Sequence, residues 1–303
     1  MLIHIPESKV IYAFDRAATP VAEIEAGDEV IFATLDPSAG FIKSHEDIAT
    51  FAKSRRADRV NPATGPVWIH GAEPGDEIRV QILDIQLRSP GWVRMPDTMG
   101  MLRGEVDTSR SLMATVRGDR LVTHLGIDLP VRPMVGVIGT APAGDPVGTL
   151  HPGPHGGNMD LKECRPGATV HLPVWVPGGL LALGDVHATM GDAEVTGTGV
   201  EICAAVTVRV ELAKGVARAR PWLSLPDAWV SYGHAMVLED AIRMATRDMT
   251  EILGVQLGLS KEDAYLLISA CGDVGIGQAC AGNIECTARV VMPRLTRSFS
   301  TCE

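Results

Sequence analysis

The amino-acid sequence predicts a mainly β protein with additional strands and a C-terminal helical segment, α+β overall. Three observations predict it. The 303 residues include 32 Gly and 20 Pro, rich in turns yet short of a disordered composition, which favours many short strands. Apolar residues alternate through much of the chain, and after about residue 230 the spacing becomes helical.

Within 1–230, Ile78, Val80 and Ile82 alternate with polar neighbours, and the phase then shifts to Leu83, Ile85 and Leu87, as a β-bulge would require. Val206, Val208, Val210 and Leu212 alternate with Thr207, Arg209 and Glu211, the mark of a strand with one buried face. Glu73-Pro74-Gly75-Asp76, Arg165-Pro166-Gly167 and Val176-Pro177-Gly178-Gly179 supply turns between such runs. No fixed-period repeat appears, which argues against a propeller or solenoid. Beyond 230, Leu238, Ala241, Ile242, Ala245, Met249 and Ile252 line one helical face, and Gly254–Gly258 ends that helix. Ser260, with Asp263 three residues on, caps a second helix, and Glu285–Met292 reads as a closing strand. The expected organisation is thus a β-rich region over 1–230, with 231–303 as a helical excursion and closing strand packed on the same unit.

Hydrophobic residues make up 46% of the chain and charged ones 21%, enough apolar material for a core. The net charge of −10, with Lys53-Ser54-Arg55-Arg56 as the densest basic run, argues against a nucleic-acid partner. MLIHIPESKV lacks a basic region followed by an apolar stretch, so no signal peptide is expected. No run of about 18 apolar residues is present to span a membrane. The six cysteines show no C-x-x-C spacing, which fits reduced thiols and a cytoplasmic setting.

The densest concentration of metal-type side chains is His151, His155, Asp160, Asp185, His187, Asp192, Glu194 and Glu201, all within about fifty residues. Gly156 and Gly157 beside His155 allow a tight backbone bend, and Asp185 and His187 share one face if they lie on a strand. Aspartates beside glycine are also ordinary turn residues, and a single histidine is ordinarily structural, so residue spacing leaves a metal cluster and plain turn chemistry both open. G-x-S-x-G, H-E-x-x-H, Walker and G-x-G-x-x-G motifs are absent. Cys271 and Cys280 flank Gly272-Asp273, but no histidine lies between them to act as a base.

Three blocks carry a resemblance: NPATGPVWIHGAEPGDEIRVQILDI at 61–85, the long HPGPHGGNMD…GDVHATMGDAEVTGTGVE run at 151–201, and GLSKEDAYLLISACGDVGIGQ at 258–278. In these the chain resembles the acetamidase/formamidase family. The resemblance implies a CUB-like β-sandwich core, hydrolysis of a small carboxamide to carboxylate and ammonia without a serine nucleophile, and a homo-oligomer, expected as a dimer. Carried over by position, the family's polar motif falls on His155, Asn158 and Asp160, on Asp185 and His187, on Glu201, on Asp36, and on Asp273 in the C-terminal Gly-Asp pair. His70 stands where relatives carry an acidic residue, and is either an added ligand or a strand residue. The segment after Asp36 and Gly-Asp-Ala-Glu at 191–194 also depart from the usual pattern.

The mechanism expected from this reading places a divalent ion, zinc first and calcium as the alternative, among Asp36, His155, Asp160, Asp185 and His187. Glu201 is the expected general base and Asn158 an orienting group. Gly156 and Gly157 offer backbone N–H groups to an oxyanion, and His70 and Asp273 complete the expected pocket. Two rival readings accompany it: a non-catalytic metal-stabilised β-sandwich that binds a ligand, and a cysteine-nucleophile amidase.

Overall fold

The computed structural model describes residues 1–54, 59–279 and 282–296; Arg55, Arg56, Cys280 and Cys302 lie outside the described residues. Among the described residues, nineteen strands hydrogen-bond into one curled, largely antiparallel sheet, and a two-stranded sheet joins Ala13–Phe14 to Val147–Gly148. The chain is therefore mainly β, as expected, and the sandwich takes the form of a sheet curled upon itself.

The spine is a ribbon of two long strands, Glu77–Arg94 and Glu201–Ala213. Val206, Val208 and Val210 are fully buried while Thr207 and Arg209 are not, and each valine contributes about 1.5–3 kcal/mol on that scale of burial. The phase shift at Ile82–Leu83 is a bulge: Thr207 pairs with Asp84 and Val208 with Ile82, so Leu83 is left over. A second irregularity separates the Glu201–Trp92 pair from Cys203–Arg88.

Beside this ribbon, Met134–Gly139 runs antiparallel to both Gly156–Asn158 and Leu181–His187. Leu181–His187 meets the ribbon at one pair, His187 opposite Glu201. Gly156 has φ of 101°, and a Cβ there would lie 2.3 Å from the Ile138 carbonyl oxygen. Only glycine lets these strands approach so closely.

The two C-terminal helices, α2 (Leu238–Leu257) and α3 (Lys261–Cys271), form where the spacing puts them. Gly258 ends α2 in the left-handed conformation, and the Ser260 side chain accepts from the Asp263 N–H at 3.0 Å to cap α3. Ala245, Met249, Ile252 and Leu253 pack with Trp222, Trp229 and Val290 as a second apolar cluster. The reading of 1–230 as strands and turns missed one element, the helix α1 (His45–Ser54). Its start is marked by Ser44, whose Oγ accepts from the Asp47 N–H at 3.4 Å, and by Glu46 and Asp47 in the first turn. Ile48 is its one buried apolar residue, packed with Ile42 and Trp92 and joined by half-buried Phe51, too narrow a stripe to show as helical periodicity.

Candidate active site

Five buried side chains converge where Leu181–His187 meets the ribbon. His187 ends its strand with both ring nitrogens buried, and carboxylate oxygens surround its Nε2. Glu201 Oε1 lies at 3.2 Å, Asp185 Oδ1 at 3.7 Å, Glu194 Oε1 at 3.8 Å and Asp160 Oδ1 at 4.0 Å. Asp185 lies opposite Gly136, where pairing skips from Val135–Val186 to Val137–Gly184. A Cβ on Gly136 would lie 2.5 Å from Asp160 Oδ1, and one on Gly199 would lie 2.6 Å from His187 Nδ1. Those two glycines make the room in which acids and imidazole meet.

The backbone is strained at this place. Seven described non-glycine residues have positive φ, and four of them are Asn61, Asp160, Asp185 and Glu194, at 60°, 49°, 54° and 46°. Left-handed backbone at such residues is held only where surrounding structure enforces it, and it concentrates at functional sites.

The electrostatics follow from crowding acids out of water. Burial, with neighbouring carboxylates adding to it against the pull of His187, pushes the Glu194 and Glu201 carboxyls up to about 8. Burial and the charge of Glu194 hold the Asp160 carboxyl well above its ordinary value. For His187, burial works to lower the imidazole, but the charges of Glu201 and Asp185 outweigh it and hold the ring well above the usual histidine range.

These residues fit a divalent cation. Asp160 Oδ1, Asp185 Oδ1, Glu201 Oε2 and both His187 nitrogens are buried without a hydrogen-bond partner, the condition of groups built to face an ion. Asp160, Asp185 and His187 bring ligand atoms within 4.8 Å of one another, and His187, Glu194 and Glu201 do the same. An imidazole among carboxylates suits zinc better than calcium, which takes oxygen ligands. Asn158 supports the set: with its amide nitrogen turned to the acids, it donates to Asp185 Oδ2 at 3.1 Å and Asp160 Oδ2 at 3.3 Å. We assign that orientation because two carboxylates need donors and the opposite one offers them oxygen.

Above the cluster lies a cavity of about 60 Å³. Asp185, Glu194, Glu201, Asn61, Asn158 and Gln278 give it polar lining, and Phe51, Trp92, Met99 and Ile284 apolar lining. At roughly 10–15 Å³ per water-sized group, it has room for about four to six non-hydrogen atoms.

A profile of the acetamidase/formamidase family matches residues 12–147 and 143–291. The chain belongs to the acetamidase/formamidase family. The crystal structure of an acetamidase from Bacillus halodurans superposes with a TM-score of 0.90 at 38% identity, covering 96% of this chain and 97% of that one. A formamidase of Methylophilus methylotrophus is 26% identical over 329 residues, 88% of this chain and 75% of its own. A formamidase-like protein of Schizosaccharomyces pombe is 27% identical over 255 residues, 64% of this chain, and the chain spans only 62% of its length. The expectation of an amidohydrolase thus holds at the level of the family.

Within this acetamidase/formamidase fold the expected site residues separate into two groups. Asp160, Asp185, His187, Glu201 and Asn158 come together. Asp36 does not join them: Oδ1 accepts from Ser38 N and Oγ at 2.8 and 2.5 Å and from Gly40 N at 3.1 Å, while Oδ2 accepts from Trp92 Nε1 at 3.2 Å. Its lone pairs hold the turn that carries Pro37 to the cavity wall. His155 is buried but packs edge-on against Phe14, with ring centroids 5.0 Å apart, and burial, helped by nearby His234, lowers its imidazole to about 4. His70 pairs with Glu23 at 3.0 Å on an exposed edge, and Asp273 is exposed on the Asp273–Ile276 strand; neither lines the cavity. Gly156 and Gly157 pair with Gly139 and Ile138 in the sheet instead of lining the cavity. Cys271 is exposed at the end of α3, its thiol donating to the Leu267 carbonyl.

Sequence reasoning counted Glu194 among the metal-type side chains without giving it a role, and did not single out Asn61 or Gln278 for the site. Asn61 precedes Pro62 and reads as a turn. Gln278 donates from Nε2 to the Asn158 carbonyl at 3.1 Å, a contact spanning 120 residues.

Proposed function

We propose that this protein hydrolyses a short linear carboxamide to a carboxylate and ammonia, with a divalent cation, zinc first, held by Asp160, Asp185 and His187. The observation that carries it is the convergence of five buried metal-type side chains, with orphaned atoms, at the base of a cavity sized for about five non-hydrogen atoms. When bound, such an ion supplies Lewis-acid polarisation of a carbonyl and acidifies water.

The protein's own groups do the rest. Glu201 is the general base: it takes a proton from the attacking water and passes it to the amide nitrogen, so the C–N bond breaks as ammonia forms and oxygen stays on carbon. A carboxyl pushed up to about 8 by burial both accepts and returns a proton near neutrality. Glu194, equally buried beside it, holds a second exchangeable proton. Asn158 fixes the carboxylates of Asp160 and Asp185, as the partner of a metal ligand does. The cavity's size supports short linear amides of up to about six non-hydrogen atoms. A homodimer and a cytoplasmic setting accompany this reading. The setting is supported by free thiols at Cys164, Cys203, Cys271 and Cys286. No helix among the described residues is long and apolar enough to cross a membrane.

The test is ammonia release from formamide, acetamide and propionamide, before and after chelation, with the metal content measured at each stage. Activity should vanish with the ion and return with added zinc. Full activity in verified metal-free protein would overturn the metal assignment, and no ammonia from any of the three would overturn the amidase reading.

A further inference from the structure

Asn61 is the buried polar residue beside the cluster whose bonding is incomplete. It is 3% exposed, lines the cavity, and holds a left-handed backbone at φ 60°. Its Nδ2 donates to Asp185 Oδ2 at 3.1 Å. That contact with a carboxylate oxygen fixes which end of the carboxamide is nitrogen and which is oxygen. Its Oδ1 is buried with no hydrogen-bond partner. An asparagine in left-handed backbone ordinarily turns that oxygen to a nearby backbone N–H, and here it does not. A buried acceptor left in this condition costs free energy unless a ligand brings the donor.

Resting on the amidase reading above, we propose that Asn61 Oδ1 accepts a hydrogen bond from the N–H of the substrate amide and so positions the nitrogen that departs. The specificity that follows is for ligands carrying an N–H at that place. A carbonyl compound of the same shape with a methyl or alkoxy group instead leaves the acceptor unpaired and is rejected. Asn61 also ties this recognition to the cluster, since its other end is bonded to Asp185.

The experiment compares acetamide with acetone, which has its shape with methyl in place of NH2. In the wild-type holoenzyme, acetone should inhibit acetamide hydrolysis with a KI about tenfold or more above the KM for acetamide. Asn61→Gly, which keeps the left-handed backbone and is assayed with zinc in excess so that the site stays loaded, should raise that KM about tenfold or more while the acetone KI stays unchanged. Equal affinity for the two ligands in the wild type overturns the assignment without any variant. It is also overturned if metal-loaded Asn61→Gly weakens both ligands alike, or binds acetamide as the wild type does. A wild type that releases no ammonia from acetamide or formamide sinks the amidase reading itself, a result distinct from failure of the Asn61 contact.

Discussion

His171 and His187 are both buried strand histidines facing carboxylates, and their surroundings are opposite in kind. His171 Nδ1 meets Glu77 Oε1 at 2.8 Å and its Nε2 meets Ser224 Oγ at 2.9 Å, while its ring stacks on Trp222 with centroids 3.7 Å apart. Glu77 also accepts from Arg79 Nε at 2.9 Å and Trp222 Nε1 at 3.1 Å, so one carboxylate has three polar partners. Around His187, four carboxylates crowd one imidazole, and neither ring nitrogen makes a hydrogen bond. Residue type and burial are the same at both places. What separates a structural cluster from a reactive one is whether its donors and acceptors are already spent.

That comparison can be broken at either end. The largest expected effect is at the open cluster: Glu201→Gln, with nearly the same shape, should lower kcat/KM for acetamide on the order of 10²–10⁴-fold. Its thermal midpoint should stay at or above that of the wild type. An activity loss matched by a fall in stability would make Glu201 structural.

At the closed cluster the signs reverse. Glu77→Ala strands His171 and Trp222 and should cost about 3–5 kcal/mol in urea unfolding, with the kcat/KM of the folded fraction unchanged. Burial acts to raise the Glu77 carboxyl, but His171, Arg79 and Trp222 outweigh it and hold it at about 2, against an ordinary value of 4.5. The folded state therefore binds this proton less readily than the unfolded one. The stability Glu77 supplies is complete above the ordinary value and is lost as pH falls through about 2, so wild type and Glu77→Ala should converge there. A gap that widened in acid would refute the assignment.

The smallest effect sharpens the contrast most. In metal-free protein, Asp160→Asn relieves like-charge crowding and should stabilise by about 1 kcal/mol, roughly 2 °C, while with zinc restored the variant should lack the activity that the wild type recovers. A lower midpoint would mean that the open cluster is as well satisfied as the closed one.

Much of the fold was legible because one-sided burial leaves a mark in the sequence. The Val206–Val210 alternation, the slipped phase at Leu83 and the Ser260 cap all lie where they were read. The helix α1 was not legible, because Ile48 and Phe51 are too little stripe for ten residues. The site was legible as a neighbourhood and not as a list. Asp36 and Asp160 look alike in sequence, and the difference lies in Trp92, 56 residues from Asp36, whose indole helps to satisfy it. His155 and His187 likewise differ only in what folds against them. Asn61 was hidden because an asparagine before proline already has a sufficient explanation as a turn.

The two glycines beneath the cluster carry a consequence for redesign. A methyl group at Gly136 or Gly199 collides with Asp160 or His187 itself, so neither position beneath the cluster admits a side chain. Phe51, Met99 and Ile284 line the cavity without belonging to the cluster. A library seeking longer acyl chains should therefore be spent on those three, and the two glycines left as they are.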